Sequence, residues 1–184
     1  MTTRRVLICL AASDNVGGRF IRWVFKSPVS HAFIIYKSTE WDWWEAVQIN
    51  QHGVHKVSAR KIIKSGAYKS IRAFEPKFDL WIGVLTKRYF IGRDYDFKGV
   101  FAGLLKGLLQ RFLGIKIHKL IHSGSALFCS EYVAEVIKAA PNAPTLVEPP
   151  SELAPHMLLT YCETSSWYKE VDWEKLEHEI RIGI

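Results

Sequence analysis

The hydrophobic pattern of the chain changes its period once, near residue 76, and this change constrains the fold more than any other feature. Before it, short apolar runs bounded by polar turns are typical of β-strands; they cover residues 5–11, 31–37, 43–49, 53–57 and 70–74. After it, apolar residues recur at helical spacing; these segments cover residues 78–90, 97–112, 127–140 and 171–180. Strands first and helices second predict an α+β fold, with an antiparallel sheet packed against helices.

Length and composition fit a single domain that spans residues 1–184. The chain is 48% hydrophobic, which argues against disorder. Its three cysteines show no Cys-x-x-Cys spacing, so neither a disulfide framework nor a zinc site is expected, and a reducing compartment is favoured. The apolar run 6–12 is at the short limit of a signal-peptide core and is more typical of a buried strand. We therefore expect a cytoplasmic protein.

The charge of the chain is modestly basic. A formal net charge of +7 is compatible with an anionic partner or surface. Nucleic acid is not expected as a partner, because Trp41, Trp43 and Trp44 cluster with Asp42 and Glu45 rather than with bases.

Cys129 and His31 carry the clearest chemical signal. Cys129 follows a Ser-Gly-Ser loop and begins an apolar run of helical character, where the positive end of the helix dipole favours a thiolate. His31 is the first residue of a predicted strand and lies on an apolar face. This is the arrangement that a thiol nucleophile with a general base requires. The alternatives are an inert buried cysteine, which is also the interpretation of Cys9 and Cys162, and a histidine satisfied at a strand edge.

A third group is expected to hold the imidazole in the required tautomer. Glu45 is the leading candidate, since it lies in the next predicted strand among aromatic residues. Its alternative role is a solvated carboxylate. Gln48, Asn50 and His52 are weaker candidates for the same position.

Five segments occur in the order found in a known group of enzymes. They are 30–36 around His31, 44–46 around Glu45, 91–97 with Gly92 and Tyr95-Asp96, 128–133 around Cys129, and 149–153 with its two prolines. Together they resemble the circularly permuted papain-like amidases of the NlpC superfamily, the YaeF/YiiX-like group, in which the histidine strand precedes the cysteine helix.

The resemblance implies a permuted papain-like fold and a triad of Cys129, His31 and Glu45. The thiol would attack an amide or isopeptide carbonyl and form a thioester, with no metal or cofactor. Tyr95 and Tyr132, from two of the matching segments, are the candidate substrate-binding residues. Peptides are the implied substrates, and lipid acyl chains remain open because members of the wider superfamily act on them. A binding module on the same scaffold, without catalysis, is a further alternative.

Residues 97–124 form a basic, helical insertion relative to this group. No acidic residue occurs between positions 97 and 130, and Gly99, Gly103 and Gly107 recur at every fourth position. Such a helix can lie on an anionic membrane through residues 98–122 or pack closely on another helix. We expect a core helix with a solvated basic edge rather than a membrane-binding one.

Overall fold

A computed structural model describes residues 4–38, 43–113 and 127–183. Its six strands form one antiparallel sheet in the order β4-β3-β2-β1-β5-β6. The strands are β1 (Val6–Ser13), β2 (His31–Lys37), β3 (Trp44–Asn50), β4 (Gly53–Ser58), β5 (Tyr68–Pro76) and β6 (Tyr168–Val171). The α+β prediction is confirmed, and each of the five expected strands is present.

Seven α-helices accompany the sheet in the described part of the chain. They are α1 (Val16–Phe25), α2 (Ala59–Lys64), α3 (Leu80–Thr86), α4 (Phe97–Leu113), α5 (Cys129–Ala139), α6 (Pro155–Thr164) and α7 (Trp173–Ile182). Two short 3-10 turns, Arg88–Phe90 and Pro150–Glu152, complete the regular structure. The hydrophobic pattern did not predict β6.

The sheet is covered on both faces, which explains why β1 and β2 are almost continuously apolar. One face presents Ala32 and Ile34 to a core that contains α5 and α6. The other presents Phe33 and Ile35 to a smaller core with α2 and α7. All eight residues of β1 are buried, so the apolar run near the start of the chain is the central strand of the sheet.

α4 departs from the core helix that its sequence predicted. Gly107 is packed against α1: a Cβ there would lie 2.6 Å from a Val24 methyl group, so the two helices approach closely at this position. The apolar side of α4 is exposed instead of buried, with Phe101 and Phe112 open to solvent. The expectation of a core helix is therefore wrong for residues 97–113, and residues 114–124 of the expected insertion lie outside the described residues. In the described residues no helix is long and apolar enough to cross a bilayer.

Candidate active site

Cys129 is the first residue of α5, and three contacts fix the start of that helix. Phe128 is extended, and its backbone N–H donates to a Glu131 carboxylate oxygen at 3.3 Å. The Leu127 N–H donates to the Asp94 carbonyl, and the Asp96 N–H donates to the Leu127 carbonyl. The segment just before Cys129 is thereby held in a parallel bridge between Tyr95 and Leu127. The loop 123–125 expected ahead of it lies outside the described residues.

The Cys129 thiol contacts β2 beyond the point where its pairing with β3 ends. The pairing of these strands runs from Lys37–Trp44 to Ile34–Val47 and stops there, so Ala32 has no β3 partner in that ladder. Its backbone N–H hydrogen-bonds to the thiol instead, together with the N–H groups of Ser130 and Cys129. The sulfur is therefore adjacent to the backbone of the residue that follows His31.

The electrostatic state of Cys129 differs from the sequence-based expectation. Burial raises the pKa of the thiol above its usual value, although the backbone hydrogen bonds from Ala32, Ser130 and Cys129 lower it. The helix dipole alone predicted a thiolate. The thiol is protonated at neutral pH in this environment, because burial outweighs the effect of the helix start.

His31 is on the opposite face of β2 from Ala32, and its ring is held by aromatic contacts. It stacks on Tyr68 with ring centroids 5.5 Å apart and an interplanar angle of 13°. Its Nε2 is buried and has no hydrogen-bond partner among the described residues, the Cys129 thiol included. Burial, followed by the nearby charge of His55, lowers the pKa of His31 to about 4. The imidazole is therefore neutral at physiological pH and able to accept a proton.

Cys129 and His31 line the same cavity, which has a volume of about 680 Å³. Tyr68 and Tyr95 also line it, and burial together with the proximity of Cys129 raises the pKa of both phenols. The buried, unpaired Nε2 is the kind of group that a substrate or a reacting proton satisfies. Within residues 4–38, 43–113 and 127–183, no three potential ligand side chains are grouped closely enough to hold a metal ion.

The structure does not bring Glu45 to His31. Glu45 pairs with Tyr36, five residues further along β2, which is about 16 Å at the usual rise of a strand. Its carboxylate bonds to the Lys56 ammonium at 2.9 Å. Partial burial raises the pKa of Glu45, but hydrogen bonds from Lys56 and Tyr36 outweigh it and hold the pKa below its usual value. Glu45 has the surface ion-pair role, and the role of orienting His31 needs another residue.

Gln48, one of the weaker candidates, lies on the same side of the sheet as His31. It points to the same face as Ala46 and His31, because side chains alternate along a strand. Its Oε1 accepts a hydrogen bond from the Tyr68 hydroxyl at 3.3 Å, and its Nε2 lies 3.2 Å from Nε2 of His55. The Nδ1 of His55 lies 3.0 Å from the Gly53 carbonyl oxygen, which can only accept, so Nδ1 carries the proton and donates it. The Nε2 of His55 then accepts a hydrogen bond from the Gln48 amide. This chain holds the Tyr68 ring against the imidazole.

The remaining predicted site residues fall in different places. Tyr95 lines the cavity, where a substrate-binding role was expected. Tyr132 lies in the hydrophobic core with Phe90, and it is absent from the cavity wall; the substrate-binding assignment of Tyr132 is not supported. Asn50 and His52 line the cavity on its polar side. Sequence reasoning missed Tyr68, because the predicted strand began at residue 70, whereas β5 begins at Tyr68.

No protein-family model matches the chain, and no curated protein matches it either. The residues and geometry described above therefore carry the functional interpretation by themselves.

Proposed function

We propose that the protein is a cysteine hydrolase that cleaves an amide or ester bond through a thioester on Cys129. The observation that supports this most directly is the shared cavity of a thiol at a helix start and a buried imidazole whose Nε2 is unpaired. The same arrangement supports the permuted papain-like interpretation, with His31 ahead of Cys129 in the sequence. Gln48 takes the place that the resemblance gave to Glu45.

The reaction begins from a neutral thiol and a neutral imidazole. His31 Nε2 accepts the thiol proton as the Cys129 sulfur bonds to the substrate carbonyl carbon. The backbone N–H groups of Cys129 and Ser130 stabilise the negative oxygen of the tetrahedral intermediate. When the intermediate collapses, the leaving amine or alcohol takes the proton from His31. Water then attacks the thioester, His31 again accepts the proton, and the acid is released as the thiol reforms.

In this proposal the His31 ring moves to reach the sulfur when substrate binds, since its Nε2 has no hydrogen bond to the thiol in the structure. The thiol is already bonded to the N–H of the adjacent residue, and catalytic hydrogen bonds often form only in the complex with substrate. The Tyr68–Gln48–His55 chain limits the rotation of the imidazole. The role of Tyr68 and Gln48 is positioning, because neither is required to touch the reacting atoms.

The test is acylation of the protein by p-nitrophenyl acetate, followed by intact-mass analysis after acid quench. We expect one acetyl group on Cys129 and loss of both adduct and turnover in Cys129→Ala. Cys162→Ala is the matched control, since Cys162 is also a buried free cysteine, and it should keep both. Unchanged turnover of the ester in Cys129→Ala would contradict the proposal.

A further inference from the structure

α4 presents an unusual row of exposed apolar side chains. Phe97, Phe101 and Phe112 are 61%, 70% and 63% exposed, and Leu105 is 49% exposed. Their spacing puts all four on one side of the helix, opposite Gly99 and Gly107. Side chains of this size are rarely left together in solvent unless the surface binds something.

α1 extends this row into one continuous surface. Val16, Phe20 and Trp23 are spaced to lie on one side of α1, and all three are exposed. The Trp23 ring lies 6.0 Å from that of Phe112 on α4 and 5.8 Å from that of Phe20. We call this surface the aromatic face; its residues are Val16, Phe20, Trp23, Phe97, Phe101, Leu105 and Phe112.

The margin of the aromatic face is mainly basic, with Asp14, which is ion-paired to Arg22 of α1, as an acidic exception. Neither residues 15–38 nor residues 97–130 contain an acidic side chain. Exposed Arg19 belongs to α1, exposed Lys26 caps the end of α1, and exposed Lys98 belongs to α4. The Arg111 guanidinium lies 4.5 Å from the Trp23 ring centre. An aromatic stripe with a basic margin is the composition of helices that lie in the interface of anionic membranes. A second copy of the chain would bring basic margins together, so charge disfavours self-association.

The cavity connects this surface with Cys129. Ile21 and Phe25 of α1, together with Val100 and Leu104 of α4, line an apolar part of its wall. Phe97 belongs to both the aromatic face and the cavity wall. An acyl chain that leaves a bilayer at this face therefore meets apolar side chains between α1 and α4 on its way to the thiol.

We propose that the aromatic face docks on an anionic membrane and admits the acyl chain of a membrane lipid, as ester or amide, to Cys129. This rests on the proposed hydrolase function for the reaction and on the aromatic face alone for the docking. The acyl carbonyl carbon receives the sulfur, and the lipid alcohol or amine leaves with the thiol proton that His31 carried.

Docking is tested by co-sedimentation with vesicles, using the full chain with Cys129→Ala so that lipid is not consumed. We expect binding to phosphatidylcholine vesicles that contain phosphatidylserine, and weaker binding to phosphatidylcholine alone. Removing two bases with Arg19→Ala and Lys98→Ala should weaken binding to anionic vesicles about 30-fold, since each base near such a surface contributes about fivefold. Equal binding to both kinds of vesicle would overturn the recognition of anionic lipid.

A charge-matched pair of variants separates the aromatic face from the rest of the surface. Val16→Glu with Phe101→Glu should reduce binding about tenfold or more, because carboxylates replace groups that enter the interface. Val147→Glu with Tyr89→Glu adds the same charge at exposed apolar positions outside α1 and α4 and should bind like the parent. Equal loss in both pairs, or self-association that only the first pair abolishes, would overturn the proposal.

The two proposals fail in different ways. If p-nitrophenyl acetate acylates Cys129 but anionic vesicles are not bound, the docking is refuted and the hydrolase stands. If vesicles are bound through the aromatic face but Cys129 is never acylated by ester or lipid, the hydrolase is refuted and the docking surface stands. With both properties present, mass analysis of the protein incubated with anionic vesicles should show a long-chain acyl adduct; its absence would refute delivery of the acyl chain.

Discussion

Glu131 and His31 should give the stability of this protein two opposite dependences on pH. Burial, with further contributions from Asp96 and Glu135, raises the pKa of Glu131 to about 7 from an ordinary 4.5, against a hydrogen bond from Phe128. The difference corresponds to about 3 kcal/mol, at about 1.4 kcal/mol for each pKa unit. The folded state holds this proton after the unfolded chain has lost it. Stability therefore falls as pH rises from about 4.5 to about 7.

His31 acts in the other direction. Its folded pKa of about 4 lies below the ordinary 6.5, so the unfolded chain binds a proton first as pH falls. The stability is fully present above about pH 6.5 and is lost as pH drops towards 4. The pKa difference corresponds to at most about 3 kcal/mol, and we expect less because the His31 side chain keeps some contact with solvent.

Glu131→Gln removes one of these dependences and keeps the helix start. The amide oxygen still accepts from the Phe128 N–H, so the variant should equal the parent near pH 4 and exceed its free energy of unfolding by about 3 kcal/mol near pH 8. His31→Gln should remove the loss of stability on the acid side. Urea unfolding followed by tryptophan fluorescence at several pH values measures both. A Glu131→Gln variant that is no more stable than the parent near pH 8 would refute the assignment of a buried, protonated carboxyl.

Four other changes have defined outcomes. Gln48→Leu should lower kcat about tenfold or more with little change in KM, and it should shift the pH profile of acylation because the imidazole loses its positioning chain. Gly103 lines the cavity, and a Cβ there would meet nothing within 4 Å. Gly103→Leu should therefore raise Tm, because leucine favours a helix more than glycine does. The added side chain should fill part of the cavity and lower the ratio of long-chain to short-chain ester turnover about tenfold. Gly83→Ala puts a Cβ 2.1 Å from a backbone oxygen of α5 and should cost about 3 kcal/mol in urea unfolding. Acylation of Cys129 by p-nitrophenyl acetate should be lost towards pH 4, because His31 is then protonated and cannot accept the thiol proton. The rate should stay high at alkaline pH, whereas a thiolate–imidazolium pair would lose activity there as its imidazolium is deprotonated.

The sequence was sufficient for strands β1 to β5, for the helix start at Cys129 and for the strand start at His31. β1 to β5 are signalled by β-branched and aromatic runs between turns, and such runs are strong local signals. Cys129 and His31 were found because a helix start and a strand start are local features as well. β6 was missed because it has four residues and pairs only at the sheet edge, where the local pattern is weak.

Glu45 shows what the local pattern could not supply. The strand was correct, but the register between β2 and β3 decides which residue faces His31. That register depends on the turn geometry, and a slip of one residue exchanges the two faces. The pair Tyr36–Glu45 puts Glu45 beside the wrong residue, while Gln48 reaches the face of His31. Nothing in the residue types favoured Gln48, because a carboxylate is the better partner for an imidazolium.

The Cys129 thiolate was mispredicted for a reason of magnitude. A helix start stabilises a negative charge by about 0.3–1 kcal/mol when exposed. Complete burial changes a pKa by up to about 3–5 units, or about 4–7 kcal/mol at about 1.4 kcal/mol for each unit. The effect of burial is therefore several times larger than the effect of the helix start. The sequence placed Cys129 at the helix start but gave no measure of its burial, since burial results from the contact of α5 with the sheet.

The end of the pairing between β2 and β3 explains how residues on opposite faces of one sheet share a cavity. A continuous ladder would separate the thiol from the imidazole by the backbone of the sheet. Because the pairing ends at Ile34–Val47, Ala32 keeps a free donor for the sulfur, and the His31 ring lies on the other face. In the proposed mechanism two neutral groups share the cavity, so no ion pair has to be buried before substrate binds, and burying one is costly. In that mechanism the charge separation forms only during attack, where the backbone N–H groups of the helix start can stabilise it.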